Sequence, residues 1–163
     1  MKAKKPKHIF IVEDNELYAM MLDYILSKKS IYQFVSFKSG EECIKNLYLN
    51  PDVIILDFGL PGIDGYNTLL EIKKHNADIH VMMLSSNTDP ILATKLLKAG
   101  ADEYILKQGH GEDQIIEKIE KLLSKDENKK SFEQKIKDIN FLEKTFFVIL
   151  LLIILTIGVA YWR

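Results

Sequence analysis

The residues best suited to chemistry in this 163-residue chain are carboxylates that end apolar runs. Val53-Ile54-Ile55-Leu56 stops on Asp57 and breaks at once into Phe58-Gly59-Leu60-Pro61-Gly62-Ile63-Asp64-Gly65, while His8-Ile9-Phe10-Ile11-Val12 stops on Glu13-Asp14. Two further apolar runs end on groups of another kind, one on Ser85 and one on Lys107, shortly after Tyr104. Carboxylates brought together repel one another unless a cation lies between them. A Mg²⁺ ion suits that place, because it takes one or two carboxylates, a backbone carbonyl and water in octahedral geometry. Asp14 and Asp57 are the candidate direct ligands, with Glu13 acting through water. Lys107 supplies a point charge for a phosphoryl oxygen, and the Ser85 hydroxyl can donate to another. A carboxylate is a competent nucleophile for phosphoryl transfer, and a metal offsets the charge on the transferred oxygens. Singly, each residue has a plainer role: Asp57 caps a loop, Ser85 opens a helix, Lys107 is a solvated charge and Tyr104 packs half-buried. Their joint occurrence points to a site.

The elements that must position them follow from periodicity. Residues 53–57 are short, β-branched and continuously apolar, as a central parallel strand buried on both faces should be. Strands are also predicted over 8–12, 31–37, 79–84 and 103–106. Between them lie helical patterns. Residues 15–28 repeat Leu17, Met20, Met21, Tyr24 and Ile25 at helical spacing, with Asp14 or Asn15 near the cap. Ser39 with Glu42 is a capping box that opens a helix to about Leu49. Asp64 caps a helix to about His75 with Tyr66, Leu69, Leu70 and Ile72 as its buried stripe. Thr88-Asp89-Pro90 opens a fourth helix that Ala99-Gly100 ends, and Ile115, Ile116, Ile119, Leu122 and Leu123 mark a fifth. Strand and helix alternate throughout, which predicts an α/β fold with a doubly wound parallel sheet. Right-handed crossovers then bring Glu13, Asp14, Asp57, Ser85 and Lys107 to one sheet edge.

With those residues in place, the segment from about 7 to 124 resembles the receiver domain of bacterial two-component response regulators. The resemblance rests on Glu13-Asp14, on Asp57 and the loop after it, and on Ser85, Tyr104 and Lys107 in that order. It implies a flavodoxin-like five-stranded parallel sheet of order 2-1-3-4-5 with five helices. It also implies Mg²⁺-dependent phosphorylation of Asp57 by a sensor histidine kinase or a phosphotransfer protein. By position, Glu13, Asp14 and Asp57 match the acidic metal pocket and the Gly59 carbonyl its backbone ligand. Ser85 matches the switch hydroxyl, Tyr104 the switch aromatic, and Lys107 the lysine that pairs with the phosphoryl group. The helix over 88–99, the strand at Tyr104 and the helix from Gly111 would form the surface that a downstream protein target reads. The pattern departs in one place: proline usually follows the lysine, often after a cis peptide, and here Gln108-Gly109 follows. A cis bond before a non-proline residue costs about 2.5–4 kcal/mol, so a trans bond is expected.

Composition narrows the choices. A formal net charge of −1, with no long basic block, argues against a nucleic-acid partner. Cys43 is the single cysteine, which excludes an intramolecular disulfide and a CxxC site, and its setting suggests a buried helix face. His8, His75, His80 and His110 fit no metal-ligand spacing. The basic leader meets Asp14 and Glu16 before a signal-peptide core could develop.

Beyond Ser124 the chain changes character. In the charged stretch 125–145, Phe132, Ile136 and Ile139 recur at spacings of 4 and 3, which suits either a short coiled coil or a membrane-surface helix. Residues 146–162 carry no charge, near the lower limit for a membrane-crossing helix, and Tyr161-Trp162 and Arg163 suit an interfacial belt and an anchor. Lys129, Lys130, Lys135, Lys137 and Lys144 precede the segment and only Arg163 follows, which orients the rest towards the cytoplasm. The expected organisation is a receiver domain over 1–124, an amphipathic linker helix over 125–145 and a transmembrane tail anchor over 146–163, at the cytoplasmic membrane. The expected function is a phosphoacceptor that signals by protein contact, not an enzyme, with homodimerisation through the linker or switch face open. The rival is a membrane adaptor that uses the same fold only for binding. A phosphohydrolase fits less well, because Gly59 stands where a second acid would be needed.

Overall fold

The computed structural model describes residues 5–108 and 112–161, with side chains described for 5–108 and 114–146. By its internal contacts the chain falls into two compact units, Met1–Leu122 and Leu123–Arg163. The elements alternate as β1 (Lys7–Val12), α1 (Glu16–Ser27), β2 (Tyr32–Phe37), α2 (Gly40–Lys45), β3 (Val53–Asp57), α3 (Gly65–His75), β4 (His80–Ser85), α4 (Pro90–Lys98), β5 (Glu103–Leu106) and α5 (Glu112–Tyr161). All strand pairs are parallel, in the order β2-β1-β3-β4-β5. This is the flavodoxin-like sheet that the sequence predicts.

β3 lies at the centre and is buried along its whole length. Its Ile54 and Leu56 pack with Phe10 and Val12 of β1, Val81 and Met83 of β4, Cys43 of α2, Leu69 and Ile72 of α3 and Leu96 of α4. The alternate residues Ile9, Ile11, Val53 and Ile55 are also fully buried, so both faces of the sheet are covered. Burial of Cys43 pushes its thiol up to about 12.

Helix ends follow local chemistry. Asn15, Ser39, Asp64 and Asp89 each sit in extended backbone at an N-cap, and each side chain accepts a backbone N–H of the first turn. Glu42 reaches back to the Lys38 N–H at 3.0 Å, one residue before the N-cap, so the capping box is displaced by one position. α2 stops at Lys45 rather than near Leu49, where a single 3₁₀ turn (Leu47–Leu49) hands over to Asn50 at φ 51°.

The expected apolar stripes need correction. α1 buries Leu22, Ile25 and Leu26, while Leu17, Met20 and Tyr24 lie exposed. α3 buries Thr68, Leu69 and Ile72, leaves Leu70 exposed and half-buries Tyr66. Both helices carry two apolar rows at spacings of three and four, so spacing identifies the helix, and the sheet's position selects the row. The fifth helix runs on through the stretch expected as a separate linker. Among the described residues no helix is long and apolar enough to cross a membrane. The expected span lies, from residue 147 onward, outside the described side chains, as residues 1–4 of the leader and Gly109, His110 and Gly111 lie outside the described residues.

At the edge opposite the carboxylates, Asp102 ties three elements together. It accepts from Lys73 of α3 at 3.1 Å and from the Val81 N–H at 2.9 Å, and pairs with His80 Nδ1 at 2.8 Å. Burial opposes ionisation of Asp102, but the His80 and Val81 hydrogen bonds and Lys73 outweigh it and lower its pKa to about 2 from 3.8. The folded-state value lies below the unfolded one, so its contribution is complete above about pH 4 and vanishes as pH falls towards 2. Asp102→Asn should therefore cost about 2 kcal/mol at neutral pH, with the deficit shrinking below about pH 4 and disappearing as pH falls through about 2. Urea denaturation of the full chain, followed by circular dichroism across that pH range, checks this.

Candidate functional site

Register places the chemistry. Val12 of β1 pairs with Leu56 of β3, so Glu13 emerges beside Asp57. Asp57 pairs with Leu84, and Ser85 with Leu106, so Ser85 and Lys107 emerge on the same edge. The Lys107 N–H continues the ladder by donating to the Ser85 carbonyl at 2.8 Å. The loop after Asp57 is pinned by α3, where Gly65 donates to the Phe58 carbonyl at 3.0 Å. A Cβ at Gly65 would stand 2.3 Å from the Asp57 carbonyl oxygen, so only glycine allows the helix to approach this closely.

The site is a cluster of acids with one ammonium in it. One ligand oxygen from each of Glu13, Asp14 and Asp57 lies within 4.8 Å of the others. Glu13 and Asp57 are buried and Asp14 is exposed. Lys107 Nζ lies 2.7 Å from Glu13 Oε2 and 3.0 Å from Asp57 Oδ1. It donates to Glu13 Oε1 at 3.0 Å, which also accepts the Asn15 N–H at 3.2 Å. Glu13 Oε2 is close to the ammonium but outside hydrogen-bonding angle, so a buried carboxylate oxygen is left without a hydrogen bond.

The charges do not balance. Burial pushes the Glu13 carboxyl above its ordinary value against the pull of Lys107, and the neighbouring Asp57 charge adds to the rise. Burial pulls Lys107 the other way, but hydrogen bonds and charge from Glu13 and Asp57 prevail and hold its pKa up. One ammonium is thus shared between Glu13 and Asp57, and it does not offset the cost of burying Glu13. A divalent cation fits this donor set: hard oxygen ligands converge and one of them is a buried oxygen without a hydrogen bond. Glu13, Asp14, Asp57 and the Gly59 carbonyl are the residues that would hold it.

Beside the acids is a cavity of about 360 Å³ lined by Asp57, Phe58, Gly59, Ser85, Ser86, Asn87 and Lys107. Ser85 is buried, and its Oγ accepts the Asn87 N–H at 3.0 Å. Tyr104 packs half-buried against the core and its hydroxyl donates to the Asn87 carbonyl. The structure thereby gathers Glu13, Asp14, Asp57, Gly59, Ser85 and Lys107 at one place, with Tyr104 linked to it through the loop. No peptide bond among the described residues is cis, and Lys107 reaches the acids through a trans bond to Gln108. Two participants make contacts that residue type does not disclose: Asn87, which joins Ser85 to Tyr104 through its backbone, and Tyr18, whose ring lies 4.8 Å from Lys107 Nζ. Register could have suggested Asn87, two residues after Ser85. Tyr18 reads from sequence only as one more apolar helix residue.

Comparison with known proteins gives one answer. The profile of the response regulator receiver domain matches residues 9–120. The chain is similar to the Fimbriae Z protein of Escherichia coli, at 31% identity over 74% of this chain and 58% of that one. It is also similar to the probable C4-dicarboxylate response regulator DctR of Bacillus subtilis, at 31% identity over 83% of this chain and 57% of that one. It thus spans somewhat over half the length of these relatives. Among solved structures, a putative response regulator from Chloroflexus aurantiacus superposes with a TM-score of 0.67 at 30% identity, over 74% of this chain and 99% of that one. A receiver domain protein from Methanospirillum hungatei superposes with a TM-score of 0.70 at 24% identity, over 77% and 99%, and shows the same fold.

Each carboxylate can be tested alone. Glu13→Gln and Asp14→Asn should each lower Mg²⁺ affinity by at least about tenfold. Asp14→Asn should do so without loss of thermal stability, because it removes one of three mutually repelling charges. A Mg²⁺ titration followed by amide NMR shifts, with a melting curve for each variant, checks both expectations.

Proposed function

The chain belongs to the response regulator receiver family of two-component systems, and from that premise we propose that it is a membrane-tethered phosphoacceptor whose phosphorylation site is Asp57. The observation that carries this reading is the convergence of Glu13, Asp14 and Asp57 within 4.8 Å, beside a cavity that also presents Ser85 and Lys107. The donor is a phosphohistidine on a sensor kinase or phosphotransfer protein. An Asp57 carboxylate oxygen attacks phosphorus, a P–O bond forms as the P–N bond breaks, and the imidazole leaves with its electron pair.

Lys107 holds Asp57 Oδ1 at 3.0 Å and fixes the carboxylate's rotation before the donor arrives. Its ammonium then meets the incoming phosphoryl oxygens. Glu13, Asp14, Asp57 and the Gly59 carbonyl would hold a Mg²⁺ ion, which when bound would supply charge neutralisation at those oxygens. Once Ser85 Oγ donates to the phosphoryl group, it turns from the Asn87 N–H that it now accepts at 3.0 Å. The freed loop carries the Asn87 carbonyl to which Tyr104 is bonded, so the tyrosine must find a new partner. Output is a changed surface around Tyr104 and α4, read by a partner protein. The chain turns over no substrate of its own, and self-dephosphorylation is at most slow.

Residues 146–162, uncharged and preceded by five lysines from Lys129 to Lys144, support the second half of the proposal. In this reading they form a membrane anchor that keeps the receiver on the cytoplasmic face and raises its effective concentration near a membrane kinase or target.

Mg²⁺-dependent labelling by a small phosphodonor should occur in the full chain and be abolished in Asp57→Asn. Labelling equal in both would overturn the assignment, and a folded protein that takes no label from any donor would favour the binding-only adaptor. Full-length protein should sediment with membranes and resist alkaline extraction, whereas a chain ending before Phe146 should stay in the supernatant. Equal partitioning would remove the anchor.

A further inference from the structure

We infer that Tyr18 is a positioning residue for Lys107, its ring keeping the ammonium at the pocket when the carboxylates that now hold it turn to a metal ion. The inference rests on the phosphoacceptor reading of Asp57. Lys107 Nζ is held by Glu13 at 2.7 and 3.0 Å and by Asp57 at 3.0 Å. These are two of the residues that would hold Mg²⁺. A carboxylate oxygen that turns to a divalent cation is withdrawn from the ammonium, and the two cations repel each other at short range. Without another hold, a long, entropically costly lysine chain would swing to solvent just when its charge is needed.

The fourth contact is of another kind. Nζ lies 4.8 Å from the centroid of the Tyr18 ring, inside the range of about 6 Å over which an aromatic face attracts a cation. A hard metal ion takes oxygen ligands and does not compete for that face. Among the described contacts of this ammonium, the ring is the one the metal leaves untouched.

The backbone of Tyr18 is tied to the acids. Asn15 caps α1 by accepting the Tyr18 N–H at 3.0 Å, while its own N–H donates to Glu13 Oε1 at 3.2 Å. One residue therefore ties the backbone of Tyr18 to the carboxylate of Glu13. Tyr18 is half-buried; burial raises the pKa of its phenol, with Lys107 opposing the rise and Glu13 and Asp57 adding to it, so the side chain lies inside the pocket's field. The contact is to the ring face, which makes the hydroxyl dispensable.

The test uses the full-length chain in detergent and two titrations, Mg²⁺ alone and beryllofluoride in the presence of Mg²⁺. Beryllofluoride is a tetrahedral stand-in for a phosphoryl group on a carboxylate. Tyr18→Leu, which keeps apolar bulk and removes the ring face, should leave Mg²⁺ affinity within about twofold and weaken beryllofluoride binding by about tenfold. Tyr18→Phe should restore both values, and in a Lys107→Ala background Tyr18→Leu should add nothing. Equal beryllofluoride affinity in wild type and Tyr18→Leu would overturn the proposal. So would parallel losses of both ligands, which mean a structural role, or an undiminished loss in the Lys107→Ala background. A wild-type chain that binds Mg²⁺ but no beryllofluoride would bring down the phosphoacceptor reading itself, and the role of Tyr18 with it.

Discussion

A charge imbalance governs this molecule: three carboxylates and one ammonium meet where the parallel strands end. Like charges at this separation would drive the loops apart if the backbone beneath them could yield. It cannot yield readily, because β3 is buried along its length and sealed by helices on both faces. The apolar core thus provides the rigidity that lets an electrostatically unfavourable cluster persist. Burial, with the Asp57 charge adding to it, raises the pKa of the Glu13 carboxyl even though the Lys107 ammonium lies 2.7 Å from its Oε2. The donor set of Glu13, Asp14 and Asp57 is one that a divalent cation would fit.

Register turns that imbalance into a device. Because Asp57 pairs with Leu84 and Ser85 with Leu106, acid, hydroxyl and ammonium stand at successive strand ends with no insertion between them. Ser85 and Tyr104 then hold the two peptide groups that flank Asn87, one at its N–H and the other at its carbonyl. A change at Ser85 reaches Tyr104 through a single residue of loop. The far edge is built differently: Asp102 fastens α3, β4 and β5 with hydrogen bonds to Lys73, His80 and Val81.

The parallel sheet and the strand-end positions of Glu13, Asp14, Asp57, Ser85 and Lys107 were legible because continuous apolar runs ending in polar groups can be strands of a covered parallel sheet. The order 2-1-3-4-5, by contrast, came only with the family resemblance. The buried faces of α1 and α3 were not legible. Leu17, Met20 and Tyr24 form as good a row as Leu22, Ile25 and Leu26, and the choice between rows belongs to the sheet's position rather than to the helix. The roles of Asn87 and Tyr18 were hidden for a related reason: one acts through its backbone, the other through a ring face, and residue type discloses neither. The trans bond after Lys107 was legible from the cost of its alternative.

The single cysteine has a practical consequence. Cys43 is completely buried and its thiol is pushed up to about 12, so almost none of it is thiolate at neutral pH and none of it is accessible. Alkylating reagents will pass it by in the folded protein. A cysteine introduced on the exposed rows of α1 or α4 would therefore take a fluorophore or spin label alone, with the native residue left in the core it helps to fill.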